Sequence, residues 1–516
     1  MKKITLLLFL LIATIASSQV QKLGELSRGK YIDSRIIYET DGKDVFGYLL
    51  LYEFDRKSRE VYDLEYIILD KNLNRLTSAT FTQGVYKNFM VTFDARLSFV
   101  KKINNEIFFG IHDYTPSIAN LPYGLINHRY RKINLENFSF SKEFIVQNFK
   151  TKEKEYKEGD VQYIKEFADN QTLIPTKGDK FLMFALAVKG TKIISMNDKA
   201  KVNSFALLDN KMNIVWKKEI NKDKKNKGAY QYFDSDENTI ILMKNIIGSN
   251  PMFNIEIYDI NTGKHISTFS EKTPDYLIYP FQTSFTDDKI IFYTELYETK
   301  NKKMNEDKIL GYGKLVIDKQ TGKEISHNYL LWNNISSQLA MKDKYGSIKK
   351  YGKIMPQDFV HLPNGNSLVI MEGYNKKSNS EILDLFTMEL SPEMKVKYFN
   401  KINKNKTKVK GVKGSGPFLR KYNYFDYAYN QPLGNNNQDY SFFYIDNEPI
   451  ATNSRMGKRN YSLGIITYVD GEFHYDKLPL YSKKSKILPA KAQNGYIRLM
   501  EISDKETEMR IEKINY

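Results

Sequence analysis

The sequence predicts an all-β fold: a β-propeller of eight four-stranded blades, its ring closed by a strand from the chain's own N-terminus. Three observations predict it. Strand-forming side chains dominate the apolar set, one strand–turn–strand unit recurs along the chain, and the last unit lacks a strand that the first residues are free to supply. The 516 residues include 37 Tyr and 31 Phe but only 2 Trp, and aromatic and β-branched side chains pack well on a pleated surface. An apolar content of 41% fits a chain with a buried core.

The repeat reads clearly at two places. Phe253 to Ile260 and His265 to Phe269 flank Asn261-Thr262-Gly263-Lys264, and Lys314 to Ile317 and Glu324 to Leu330 flank Asp318 to Lys323. Similar pairs surround Asp70-Lys71-Asn72, Asp209-Asn210-Lys211, Ser391-Pro392-Glu393 and Asp470-Gly471-Glu472. Asp, Asn and Gly at such turns cap local backbone groups and tolerate positive φ, which is hairpin chemistry. A third strand precedes each pair: Phe46–Glu53, Glu106–Ile111, Phe181–Val188, Thr239–Ile246, Lys289–Glu295, Ser367–Glu372, Tyr440–Ile445 and Tyr496–Ile502. A weaker fourth strand, such as Phe281–Phe285 or Asp358–Leu362, usually comes first. Four antiparallel strands per unit, repeated, is the pattern of propeller blades. The count is eight, or seven if the weakly patterned stretch Glu106–Gln147 is not a blade. Two packed sandwiches of the same strand count are the alternative. The final unit, from about Ile487, stops after its third strand, so Val20–Leu26 is expected to complete it and protect its edge.

The Asp259-Ile260-Asn261-Thr262-Gly263-Lys264 and Asp318-Lys319-Gln320-Thr321-Gly322-Lys323 turns resemble the hairpins of quinoprotein-like propellers, and the layout resembles NHL-type and surface-layer propellers. The recurrent tryptophans of quinoprotein blades are missing, with only Trp216 and Trp332 present. The resemblance implies a scaffold and transfers no catalytic residue.

Met1-Lys2-Lys3, an apolar run from Ile4 to Ala16 and Ser17-Ser18-Gln19 read as a signal peptide over residues 1–18. Residues 19–516 are then expected to be a single propeller domain, exported to the periplasm or the cell exterior. No later segment has the roughly 20 apolar residues that a membrane helix needs. With no cysteine, neither disulfides nor thiolate metal sites are available. The six histidines are scattered, and neither Asp-led turn has an acid at the twelfth position of a calcium loop (Ser270 and Tyr329 stand there). No metal or cofactor is expected.

Two function classes remain. Propellers that cleave polysaccharides place paired carboxylates on their inner strands. Asp33, Asp358 and Asp426 fall near inner-strand starts and are the catalytic candidates, for a glycosidase or lyase. The other class is a non-enzymatic binding or assembly scaffold, and the charge favours it. The formal net charge is +17, and the lysines gather in the long connections. Asn403–Tyr424 carries Lys404, Lys406, Lys408, Lys410, Lys413, Arg420 and Lys421 with no acid, alongside Tyr422 and Tyr424. Arg455, Lys458 and Arg459 form a second group, whereas the hairpin turns carry the aspartates. A basic loop face beside aromatic rings suits an acidic glycan, a lipopolysaccharide phosphate or an acidic protein surface. Nucleic acid is not expected for an exported chain, and a monomer is.

Overall fold

A computed structural model describes residues 19–40, 42, 44–57, 61–84, 94–114, 126–141, 143–145, 161–163, 171–187, 201–219, 228–246, 252–270, 276–298, 306–376, 379–409, 411–434, 437–448, 460–481, 486–502 and 506–514. Their strands form eight separate, predominantly antiparallel sheets that follow one another along the chain, the arrangement of an eight-bladed β-propeller. The stretch beginning at Glu106 is a blade, so the seven-blade count falls. By compactness the chain divides into two units: Met1–Pro175 with Val188–Asp198 and Ser485–Tyr516, and Thr176–Ala187 with Lys199–Lys484. No helix among the described residues is long and apolar enough to cross a membrane.

The first unit contains the chain's closure. Gln19–Lys22 pairs antiparallel with Thr507–Lys513, placing Gln19 opposite Ile511 and Lys22 opposite Glu508. The sheet continues through Tyr496–Ile502 to Lys486–Lys491, so the N-terminal strand is the outer strand of the last blade. Only Gln19–Lys22 is extended. Leu23–Leu26 forms a helical turn that buries Leu23 completely and offers the Leu23 carbonyl to the Tyr52 hydroxyl at 2.8 Å.

Burial follows position within a blade. The second strands are largely apolar and buried, because both of their faces meet neighbouring sheets. Ile290–Tyr297 is buried throughout, and so is most of Val45–Tyr52. The outer strands are half exposed, as Glu324–Leu331 illustrates. The hairpin aspartates are spent on their own turns. Asp70 accepts the backbone N–H groups of Asn72 and Asn74, each at 2.8 Å, and Asp318 accepts the N–H and hydroxyl of Thr321, both at 2.7 Å. Both tryptophans pack onto turn glycines. A Cβ on Gly263, whose φ is +67°, would stand 2.6 Å from the Trp216 ring, so backbone and packing both require glycine there.

One repeated irregularity was not anticipated. Six innermost strands carry a β-bulge at the same place, between Tyr31 and Asp33, Leu97 and Phe99, Tyr232 and Asp234, Pro280 and Gln282, Pro356 and Asp358, and Tyr427 and Tyr429, whereas Lys486–Lys491 pairs without one. A bulge re-aims the side chain that follows it and leaves room for a proline next to it, which explains Pro280 and Pro356. The re-aimed polar groups tie one inner strand to the next. Asp33 accepts the Leu97 N–H at 3.2 Å. Asp234 accepts the Thr283 hydroxyl. The Gln282 amide brackets Phe359, donating to its carbonyl at 2.7 Å and accepting its N–H at 3.1 Å.

Candidate functional site

In the second unit a cleft of about 400 Å³ opens beside three consecutive inner strands, Tyr276–Phe285, Gly352–His361 and Tyr427–Leu433. Its lining combines aromatic rings (Phe281, Phe425, Tyr427, Tyr429), side-chain amides (Gln282, Gln357, Asn423, Asn430), Asp358 and Arg420. The short helix Gly416–Lys421, capped by the Ser415 hydroxyl, brings Arg420 to the cleft. There the Arg420 guanidinium bonds Glu295 at 2.7 Å and the Pro356 carbonyl at 3.1 Å, and lies 4.3 Å from the centre of the Phe281 ring.

Asp358, a catalytic candidate, sits at the bulge with its carboxylate occupied. It accepts the Gln282 amide at 3.0 Å, the Tyr427 hydroxyl at 2.6 Å and the Asn430 amide. Burial raises its pKa, and these three donors work against that rise. Burial together with the Asp358 charge pushes Tyr427 well above the ordinary phenol value. Asp33 holds the equivalent bulge position in the other unit and is likewise engaged, by Ser34 and Leu97.

Asp426, the third catalytic candidate, belongs to a buried ionic group. The Lys404 ammonium contacts Asp426 directly and lies 3.7 Å from Glu372, with the side chains of Lys404 and Glu372 wholly excluded from solvent. The Tyr427 N–H bonds Glu372 at 3.1 Å, so this residue links the Glu372 group to Asp358. Burial pushes Glu372 up to about 8, with Lys404 opposing and Asp426 assisting. Burial pulls Lys404 down, but Asp426 and Glu372 outweigh it and its pKa rises. Two carboxylates do converge here, but on a lysine between them, in an arrangement unlike the solvated acid and base of a glycoside hydrolase.

Lys404 therefore leaves the set of expected anion-binding residues. It is a counterion, because an uncompensated carboxylate at this depth would be costly. Carboxylate–cation pairing recurs at equivalent positions, buried at Glu295 and Glu372 and partly exposed at Glu53. Glu53, Glu295 and Glu372 hold equivalent places near the ends of the apolar second strands, by their pairing with Lys30, Tyr279 and Met355. Each is met by a cation: Arg56 for Glu53 at 3.0 Å, Arg420 for Glu295, and Lys404 for Glu372. Arg420 is thus also an internal brace. Part of the positive charge read from the sequence is consumed in this way.

Other cations of the segment do face solvent. Lys406 is exposed but paired with Glu381 at 3.2 Å. Lys408, Lys413 and Lys421 are exposed, with no carboxylate partner among the described residues. Tyr422 packs against the exposed Phe418, ring centres 4.7 Å apart, and Lys421 lies 5.8 Å from the Tyr422 ring. Tyr424 is partly buried against the core. Lys410, Arg455, Lys458 and Arg459 lie outside the described residues. The sequence reading missed Gln282, Gln357, Asn423, Asn430 and Glu372. A usable signal for part of the set was Pro280-Phe281-Gln282 beside Pro356-Gln357-Asp358, the same proline-spaced polar residue in successive units.

The model of a family described as "Family of unknown function (DUF6770)" matches residues 141–403 and 381–515. No curated protein matches the sequence. Among solved structures, polysaccharide lyase Uly1 is similar at 11% identity over 81% of this chain and 89% of its own, with a TM-score of 0.40. The β-propeller domain of the Trilobed protease from Pyrococcus furiosus is similar at 10% identity over 82% and 98%, with a TM-score of 0.34. The WD40 domain of SCAP from fission yeast is similar at 7% identity over 96% and 98%, with a TM-score of 0.32. Likenesses this distant bear on no ligand or reaction, and none identifies the blades with quinoprotein or NHL repeats.

Proposed function

Because the chain belongs to DUF6770, a family of unknown function, we propose its role from its own chemistry: an exported, non-enzymatic binding scaffold whose loop segment Asn403–Tyr424 meets an anionic partner. The observation that carries this reading is the division of labour among the cations of that segment. Lys404 and Arg420 neutralise buried acids, while Lys408, Lys413 and Lys421 stand in solvent, Lys421 beside the Tyr422 ring that packs on Phe418. The segment that carries them packs on one sheet. Thr407–Val409 pairs with the start of Ser380–Leu390, and Gly416 sits against Met355 and Tyr374 near the adjoining strand ends. Cations beside aromatic faces suit an acidic glycan, a lipopolysaccharide phosphate or an acidic protein surface.

The test is retention on immobilised heparin. The chain is expected to bind and to elute only with substantial salt, since contacts between exposed charges are screened by it. Reversing Lys408, Lys413 and Lys421 together to glutamate is expected to weaken binding at least tenfold, about 1.4 kcal/mol or more, with unchanged unfolding. Equal retention of the triple variant would remove the proposal.

A further inference from the structure

We infer that the cleft beside Asp358 is a binding site for a neutral saccharide unit, a ligand class distinct from the anionic partner proposed above and independent of it. Its volume of about 400 Å³ lies within the range of roughly 300–1,000 Å³ usual for small-molecule sites. The charge inside it is balanced or negative. Glu295 compensates Arg420 at 2.7 Å and Asp358 adds a carboxylate, so a uronate or phosphate would meet repulsion rather than a free cation.

What the cleft leaves unspent is neutral hydrogen-bonding capacity. Gln282 is saturated by Asp358 and Phe359. Among the described residues the Gln357 amide only donates to the Met355 carbonyl, at 3.0 Å. Asn430 donates to Asp358, leaving its carbonyl oxygen able to accept. Asn423 has no side-chain bond among the described residues, and its exposed amide stands at the rim on a backbone of φ +52°. An amide presents a donor and an acceptor side by side, which matches the vicinal hydroxyls of a pyranose. The aromatic walls suit the sugar's C–H face, and they are held from behind. Phe425 packs edge-on to Tyr374 at 6.1 Å, Phe281 edge-on to Phe359 at 5.6 Å, and Tyr429 stacks on Phe443 at 4.8 Å. Walls fixed before the ligand arrives reduce the ordering cost of binding. The carboxylate at the floor is already bonded to three protein donors, so the site holds the sugar without cleaving it.

The experiment is saturation-transfer NMR on the intact chain with cellotriose, maltotriose and mannotriose, and with a triuronate for comparison. At least one neutral trisaccharide is expected to receive saturation, and the triuronate much less. Asn423→Gly, which keeps the left-handed backbone, combined with Gln357→Ala is expected to weaken that binding tenfold or more with an unchanged melting temperature. Asn423→Gly alone serves if the double variant unfolds early. Three silent neutral sugars, binding that survives the variants, or a preference for the triuronate through the same residues would each overturn the inference. A loss of heparin retention in the lysine variant with sugar binding intact would separate the two sites.

Discussion

Replacing Lys404 with methionine will destabilise the fold by about 3–5 kcal/mol at neutral pH, the usual cost of removing one partner from a buried ion pair. Methionine preserves most of the side chain's length and apolar stem, so packing changes little. What it removes is the ammonium that contacts Asp426 and lies 3.7 Å from Glu372. Asp426 then stands beside Glu372 without the cation it touches, in a site closed to water, and must take up a proton or drive the structure open. Urea unfolding of the wild type and the variant measures the difference. The gap should narrow in mild acid, where protonation supplies the neutralisation that the lysine provided. A loss below about 1 kcal/mol, the scale of an exposed ion pair, would mean that Lys404 is not the counterion of this group.

Glu372 makes stability fall as pH rises. Its pKa is pushed from 4.5 to about 8, chiefly by burial. Below about 4.5 the carboxyl is protonated in both the folded and the unfolded chain, and above about 8 it is ionised in both. Between these limits the folded chain retains a proton that the unfolded chain has released, so each rise in pH favours unfolding. Each tenfold difference in proton affinity between the two states is worth about 1.4 kcal/mol, so the total is of the order of a few kcal/mol. Glu372→Gln keeps the shape and cannot ionise, so it should lose this contribution and gain stability relative to the wild type towards pH 9. The measurement is unfolding free energy at intervals from pH 5 to pH 9 for both chains. Parallel profiles would show that Glu372 does not titrate in this window.

What was legible in the sequence, and what was not, follows from how far apart the interacting residues lie. Local pattern sufficed for the strands. Thr239–Ile246 and Tyr496–Ile502 have the bounds that their apolar runs suggest. The unfilled place in the last blade led to the pairing of Gln19–Lys22 with Thr507–Lys513. The site was less accessible, because its meaning depends on partners far away in the chain. Lys404 and Lys413 are alike in sequence, both set among polar residues in one acid-free stretch. Only the fold places the first against Glu372, which closes an apolar run 32 residues earlier, and leaves the second in solvent. Asp33 and Asp358 were catalytic candidates because inner-strand carboxylates can be catalytic acids, and their hydrogen-bond partners lie far away in the chain. The bulges that turn these two aspartates into ties between strands leave little trace in the sequence beyond Pro280 and Pro356.

The carboxylates around the cleft are engaged by protein donors and cations, and we propose that they hold the structure together without performing chemistry. The most direct test of this central claim is a turnover assay: neutral and acidic polysaccharides are incubated with the intact chain, and new reducing ends and unsaturated products are followed. No product above buffer is expected, from the wild type or from Asp358→Asn. Product released by the wild type and abolished in an Asp358→Asn chain of undiminished stability would contradict the account.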